Sequence, residues 1–390
     1  MSAGGVATRP TERPSGPRLD SQLRFLPSAR REQARDARPR ITMVVASLDI
    51  LGGHGVQART LMAHLGEDGY RVDALPVNPP FPGGLGWVRR WPYARTLLTQ
   101  ALYRPSLRRL RHADVVHVFA ASYWSFLLGP APAIAAARRL GKRVVLNYHS
   151  GEAGDHLARW GRIVHPFLRL ADVLVVPSPY LRRIFAHRGY PARVIPNAVD
   201  TDAFAYRERA SLAPRLVSTR NLEPHYDVAN TIEAFARVRR RFPEATLVLA
   251  GQGSEERALR RLAVSRGVER SIRFAGRVEP EAMPRLYDAA DIFVNSSVVD
   301  NQPISVLEAL AAGVSVVSTG TGGIADLVRH GETGLLVPPR DPDAMADAVS
   351  LLLAEPGRAL AMARRARQAI GPYTWAGVRD LWAAAYGAPA

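Results

Sequence analysis

The sequence of 390 residues predicts an α/β fold of two doubly wound domains in tandem, each a parallel sheet covered on both faces. Three observations carry this expectation. Apolar, β-branched runs alternate with helical patterns from residue 41 onward, and the series occurs twice. A polar, Arg-containing stretch from Pro196-Asn197 to Pro214 separates the two series. Residues 294–328, VNSSVVDNQPISVLEALAAGVSVVSTGTGGIADLV, run strand, loop, helix, strand and Gly-rich turn. Such an order exposes helix N-termini, with their free N–H groups, to an anionic ligand.

Composition narrows the class. A hydrophobic content of 47% is that of a well-buried globular chain. The absence of cysteine excludes a disulfide framework and any Cys-ligated metal, and fits a reducing, cytoplasmic compartment. Lys and Arg number 52 against 35 Asp and Glu, a net charge of +17, which draws the chain to polyanions: nucleic acid, anionic lipid or phosphorylated substrates.

Residues 1–40 hold nine Arg and five Pro without apolar periodicity, and they read as a disordered tail with no secretory h-region. The first domain, 41–200, has strand candidates at 41–46, 71–75, 114–118, 143–148, 173–177 and 193–195. Helical patterns lie at 57–66, 133–140 and 180–187. The apolar run 115–137 has the length of a membrane span. His117 near its start and Gly129-Pro130-Ala131-Pro132 in its middle make it a buried strand, a turn and a helix instead. The second domain, 201–370, has strands at 216–219, 246–250, 272–275, 292–295, 314–318 and 334–337. Its helices are at 227–242, 255–266, 280–289, 303–313 and 342–354. The closing segment 371–390 is a helix after Tyr373-Thr374-Trp375, expected to fold back onto the first domain.

Tandem domains of this kind bind ligand at the carboxyl ends of their strands, in the cleft between them. Asp300 sits in a loop before the helix that Pro303 opens, and Glu308 follows inside that helix. The two carboxylates add acceptors for sugar hydroxyls to a phosphate-friendly frame. Arg220, at the end of a buried strand, has the planar fork that grips a phosphate bidentately. Gly251 and Gly253 follow strand 246–250 in a loop that fits a nucleotide-sugar site, but Glu256 stands where a dinucleotide fingerprint needs its third glycine. A dehydrogenase therefore ranks last. Gly52, Gly53 and His54 lie between a strand and a helix, where a ligand-approaching loop and a plain glycine turn both fit. His149 ends strand 143–148, a place for a structural or a site histidine. No Ser-His-Asp or metal-ligand spacing appears, so no metal is expected.

Several segments in order resemble the retaining glycosyltransferases of the GT-B fold, in the large family 4 or group 1 class. They are the hinge Val194-Ile195-Pro196-Asn197-Ala198-Val199-Asp200, the strand Ala289-Ala290-Asp291-Ile292-Phe293-Val294, and Asp300 with Glu308 running into Ala312-Gly313-Val314-Ser315-Val316-Val317. Gly331-Glu332-Thr333-Gly334-Leu335-Leu336-Val337 follows. The resemblance covers about 41–386. It implies two Rossmann-like domains facing a cleft, an acceptor side in 41–200, and a donor side in 201–370 for a UDP- or GDP-linked sugar, without a further cofactor. It implies Glu308 on the nucleotide ribose and Asp300 on the sugar hydroxyls. The backbone of Asn301, Gln302, Pro303, Ile304 and Ser305, the turn Gly322-Gly323, and Arg220 lie near sugar and phosphate. Arg277-Val278 resembles the segment that reads the base, and His149 and the Gly52–His54 loop resemble parts near the reacting centre. Two departures stand out: Asp300 replaces the usual Glu, and His225 or Tyr226 falls where a phosphate-clamping Lys belongs.

Residues 86–111 carry seven Arg and no acid, with Trp87, Trp91, Tyr93, Leu97, Leu98 and Tyr103 interleaved. This pattern fits an anionic membrane surface, on the inner face, as well as an Arg-rich face whose aromatics enter the core. No nucleic-acid module accompanies the charge. The acceptor, whether glycan, lipid or small molecule, is open. Two further classes compete with a transferase: a sugar-nucleotide epimerase of the same fold, and a non-catalytic sugar-nucleotide-binding protein.

Overall fold

A computed structural model describes residues 38–46 and 53–387. The expected tail lies almost wholly outside the described residues, as does Gly52.

The first sheet holds β1 (Ile41–Val45), β2 (Val72–Pro76), β3 (Val115–Ala120), β4 (Arg143–Tyr148), β5 (Val173–Val176) and β6 (Ala192–Val194), in the order β2-β1-β3-β4-β5-β6. The second holds β7 (Arg215–Ser218), β8 (Thr246–Ala250), β9 (Ile272–Gly276), β10 (Ile292–Asn295), β11 (Ser315–Thr319) and β12 (Leu335–Val337), in the order β12-β11-β10-β7-β8-β9. Every pairing between neighbouring strands is parallel. In each sheet the order reverses beside the first strand, β1 or β7, which is where such sheets open a crevice at their carboxyl ends.

The strands that carry the site are buried on both faces, as their continuous apolar runs require: β3, β10 and β11 have no exposed residue. Each sheet therefore feeds two apolar cores, one per face. On the first sheet, Ile41, Met43, Val45, Val115 and Val145 pack with Val378, Trp382, Ala385 and Tyr386 of the C-terminal helix Trp375–Tyr386. That helix is tied down by the buried His117, whose Nδ1 lies 2.8 Å from the Tyr386 hydroxyl.

Several boundaries differ from the sequence reading. The first helix is Gly53–Glu67, so Gly53 and His54 begin a helix rather than belonging to a loop. The apolar run after β3 forms two helices, Tyr123–Leu128 and Pro130–Arg139, because Gly129 breaks it. Helices Pro92–Ser106, Ala153–Leu168 and Pro356–Ala369 had no counterpart in the reading. Pro105 and Pro166 stand in the last turns of the first two.

In segment 86–111 the aromatics divide. Tyr103 is buried and donates to the Gly129 carbonyl, whereas Trp87, Trp91, Tyr93 and Leu97 are 61 to 88% exposed. The alternative in which they all enter the core does not hold for these four. Among the described residues no helix is long and apolar enough to cross a membrane.

Candidate active site

A cavity of about 630 Å³ lies between the two sheets. Its first-domain wall comes from Val56, Gln57 and Thr60 on helix Gly53–Glu67, from Ala121 after β3, and from His149 to Glu152 after β4. Its second-domain wall comes from the loops after β7, β8, β9 and β10 and from helix Ile304–Ala311. These are all carboxyl ends of strands, as the topology requires.

The cavity gathers most of the residues singled out in the sequence: His149, Arg220, Tyr226, Gly251, Arg277, Val278, Asp300, Asn301, Gln302, Pro303, Ile304, Ser305 and Glu308. Pro303 is the N-cap of helix Ile304–Ala311, in extended geometry, so the first N–H groups, of Ile304 and Ser305, have no carbonyl within the helix to bond. Hydrogen bonds hold this loop across the domains. Asn197 N donates to Gln302 Oε1 at 2.6 Å, and Asn197 Nδ2 donates to the Gln302 carbonyl at 3.0 Å. Ser178 Oγ bonds Asn301 Oδ1, and Asn301 Nδ2 reaches the His149 carbonyl at 3.4 Å.

Arg220 and Asp300 form an ion pair, each largely buried. The other arm of the guanidinium donates to Ser305 Oγ at 2.9 Å, and its plane lies over the Tyr226 ring, 4.1 Å to the centroid. Tyr226 thus serves as a cation–π platform for Arg220. His225 lines the cavity beside it. Asp300, one methylene shorter than Glu, meets Arg220 while its other oxygen accepts from Asn301 N at 2.9 Å.

Glu308 is 8% exposed and faces the cavity. Burial pushes its carboxyl up to about 7, opposed by a hydrogen bond from Tyr287 and by the charge of Arg220. The Tyr287 hydroxyl reaches Glu308 Oε2 at 2.7 Å and the Thr219 hydroxyl at 2.7 Å. Sequence reasoning missed Tyr287, Thr219, Gln57 and Thr60. Tyr287 sits in an apolar helix, where its spacing says only core.

Three glycines do not line the cavity: Gly253, Gly322 and Gly323. They permit close packing of the loops that do. At Gly322, with φ +57°, an added Cβ would stand 1.9 Å from the Asp300 carbonyl oxygen, and at Gly323 2.3 Å from that of Asn301. The turn Gly322-Gly323, expected near sugar and phosphate, thus packs against the Asp300 loop rather than on the cavity wall. Gly53 and His54 open the helix that supplies Gln57, and Gly52 lies outside the described residues. Among the described residues no group of three or more His, Asp or Glu is placed to hold a metal ion.

Comparison with known proteins agrees with this arrangement. Residues 206–369 match the family described as glycosyl transferases group 1, and residues 51–203 match glycosyltransferase family 4. A GDP-mannose-dependent alpha-(1-6)-phosphatidylinositol monomannoside mannosyltransferase of Mycobacterium tuberculosis is 33% identical over 325 residues, 77% of this chain and 78% of that protein. A glycogen synthase of the same organism is 30% identical over 338 residues, 82% of this chain and 80% of that one. Among solved structures, Anabaena Alr3699/HepE in complex with UDP and glucose superposes with a TM-score of 0.70 at 16% identity, over 90% of this chain and all of that one. Sucrose-phosphate synthase of Thermosynechococcus elongatus does so with 0.71 at 20%, over 89% and all. These two show the fold, GT-B.

Two parallel-sheet domains closing on a cleft lined by carboxylates and arginine, together with these family matches, make the chain a glycosyltransferase that uses a nucleotide sugar donor. The chain belongs to the group 1 glycosyltransferases.

Proposed function

We propose that the enzyme moves a sugar from a UDP- or GDP-linked donor to an acceptor hydroxyl with retention of anomeric configuration and without a metal ion. One observation carries the reading: Arg220, Asp300, Ser305 and Glu308 converge on one wall of the interdomain cavity, at the N-terminus of helix Ile304–Ala311. In this reading the division falls near residue 200, the donor on 201–370 and the acceptor on 41–200, with 371–386 belonging to the first domain. Glu308 accepts from the ribose hydroxyls, and Arg277-Val278 borders the base. Arg220 and the N–H groups of Ile304 and Ser305 take the negative charge that develops on the leaving diphosphate. Asp300 accepts from the donor sugar hydroxyls, and His149 stands across the cleft beside the reacting carbon. The bond from the anomeric carbon to phosphate breaks, the acceptor oxygen bonds that carbon on the same face, and the acceptor proton passes to the departing diphosphate.

The test is calorimetry against UDP, GDP and their sugars, followed by transfer assays in chelator with the product anomer read by NMR. Inverted product, or loss of transfer on chelation, overturns those parts. Donor consumption without an acceptor, or binding without turnover, would favour the epimerase or the non-catalytic alternative.

Segment 86–111 supports a peripheral position on an anionic inner membrane face. Trp87, Trp91, Tyr93 and Leu97 stand out in a segment with seven Arg and no acid. Co-sedimentation with phosphatidylglycerol vesicles, lost on substituting Trp91 and Tyr93 by Ala, checks it.

A further inference from the structure

Beside the cleft mouth on the first domain, a second cluster takes no part in the donor chemistry. β3 ends at Ala120, Ala121 lines the cavity, and the chain turns at Ser122-Tyr123 into helix Tyr123–Leu128. Tyr123 has φ +56°, left-handed backbone that a bulky side chain rarely adopts and that costs about 1–3 kcal/mol. The turn is pinned from beneath by a buried relay. Ser122 Oγ lies 2.9 Å from the Tyr148 hydroxyl, which in turn lies 2.7 Å from His156 Nδ1. From above, the Tyr123 hydroxyl donates to Asp155 Oδ2.

The strain places three rings in a stepped row. Tyr123 meets Trp160 edge-on, centroids 5.7 Å apart and planes at 81°. Trp160 meets Trp124 at 5.1 Å and 90°. Trp124 is 65% exposed, with no core role to explain its position. Asp155, about half exposed, lies beside the row with Oδ1 2.8 Å from Arg159 Nε and Oδ2 accepting from Tyr123, each oxygen keeping a second lone pair for a hydroxyl, and Glu152, on the cavity wall, lies one helical turn before it. Along helix Ala153–Leu168 the distance from Ala153 to Trp160 is about 10 Å, longer than a single sugar ring.

We propose that Trp124, Trp160, Tyr123 and Asp155 form a saccharide-binding shelf that receives an acceptor of at least two sugar rings, leading its reactive end past Glu152 into the cleft. Sugar rings present apolar C–H faces and a rim of hydroxyls. Aromatic faces take the first and a carboxylate accepts from the second, the combination of apolar walls and few placed polar groups that small-ligand sites use. An anionic membrane is the poorer occupant here, because Asp155 and Glu152 offset Arg159 and Arg162 of the same stretch, whereas segment 86–111 carries Arg without any acid. The role of the bound saccharide as acceptor rests on the transferase reading, whereas sugar binding at the shelf does not.

The test is saturation-transfer NMR of the full chain with methyl α-mannoside, methyl α-glucoside, maltose and α-1,6-mannobiose, at tens of millimolar and without nucleotide. At least one disaccharide should bind more tightly than its methyl glycoside, weaken about tenfold or more in Trp124→Ala and in Asp155→Asn, and recover in Trp124→Tyr, which keeps a ring. UDP and GDP titrations of the same variants check folding and test the donor reading separately. Sugar binding unaltered by both variants overturns the shelf, as does a lack of binding by every sugar. Vesicle binding lost in Trp124→Ala without sugar binding would assign the surface to a membrane and overturn it likewise. A chain that binds these sugars but neither nucleotide would leave the shelf standing and sink the transferase reading.

Discussion

The Tyr287 hydroxyl lies 2.7 Å from Glu308 Oε2 and holds that carboxylate from behind, where one helix packs on the next. The same hydroxyl meets Thr219 Oγ1 at 2.7 Å, so a chain of three side chains runs from the end of β7 to the cavity. A buried carboxylate needs such a partner, since an uncompensated one pays its full desolvation cost. The contact fixes which oxygen is engaged and leaves the other for ligand.

Nucleotide affinity should therefore vary with pH. The Glu308 carboxyl sits at about 7, against 4.5 for an ordinary glutamate. An ionised carboxylate is the stronger acceptor for ribose hydroxyls, so affinity for UDP or GDP should rise as pH increases from about 6 to 8, with a midpoint near 7. Glu308→Gln should flatten that profile and weaken binding about tenfold at pH 8. Calorimetry at several pH values measures both.

The same shift enters stability with a definite sign. Because the folded pKa is raised, the contribution is complete below about pH 4.5, declines as pH rises to about 7, and is level above that. A shift of this size amounts to something on the order of 3 kcal/mol. Urea unfolding should show that slope between pH 5 and 7, and Glu308→Gln should remove it.

Tyr287→Phe keeps the ring and removes only the hydroxyl. The carboxylate then loses a charge-assisted hydrogen bond, so stability at pH 8 should fall by about 1–3 kcal/mol. The midpoint of the nucleotide pH profile should move upward, because the hydrogen bond lowers the Glu308 pKa. A fall in stability with an unmoved midpoint would show that Tyr287 serves packing alone.

Arg220 and Asp300 should separate in their effects. Arg220→Gln removes the cation over the Tyr226 ring and should weaken UDP or GDP binding by about tenfold or more. Asp300→Asn frees Arg220 from its ion pair, so nucleotide affinity should hold or rise, while transfer falls about 100-fold or more. Titration and product assays on the two variants distinguish the roles, and equal loss of nucleotide binding in both would refute the division.

Gly322→Ala should destabilise the second domain although Gly322 does not line the cavity. A Cβ there meets the Asp300 carbonyl oxygen, and φ +57° adds strain, so a loss above about 2 kcal/mol is expected. Gly84→Ala, at φ +86° but in open space, should cost only about 1 kcal/mol. Paired urea curves read the contrast.

Much of this molecule was legible from its chain. The twofold alternation of apolar strands and helices is a local pattern, and a parallel sheet needs both faces covered, so the class followed from periodicity. Asp300, Glu308 and Arg220 were visible because strand ends and helix starts, which ligands use, are marked locally by Pro303 and by the end of an apolar run. The long helix Pro92–Ser106 was hidden because its exposed Tyr93 and Leu97 break the apolar stripe that marks a helix packed on a core. The packing of Gly322-Gly323 against the Asp300 loop was not legible either: a glycine needed for a ligand and one needed for a neighbouring carbonyl look alike in sequence.

What the sequence determined by itself was thus the two sheets and the strand-end loop that bears the acidic pair. Tertiary structure alone decided that Arg220 lies over Tyr226 against Asp300, and that Tyr287 stands behind Glu308. It also decided that Tyr123 twists to set Trp124 beside Trp160. Each of these contacts joins residues from different elements. Their distances are set by how sheets and helices pack, which no local spacing encodes.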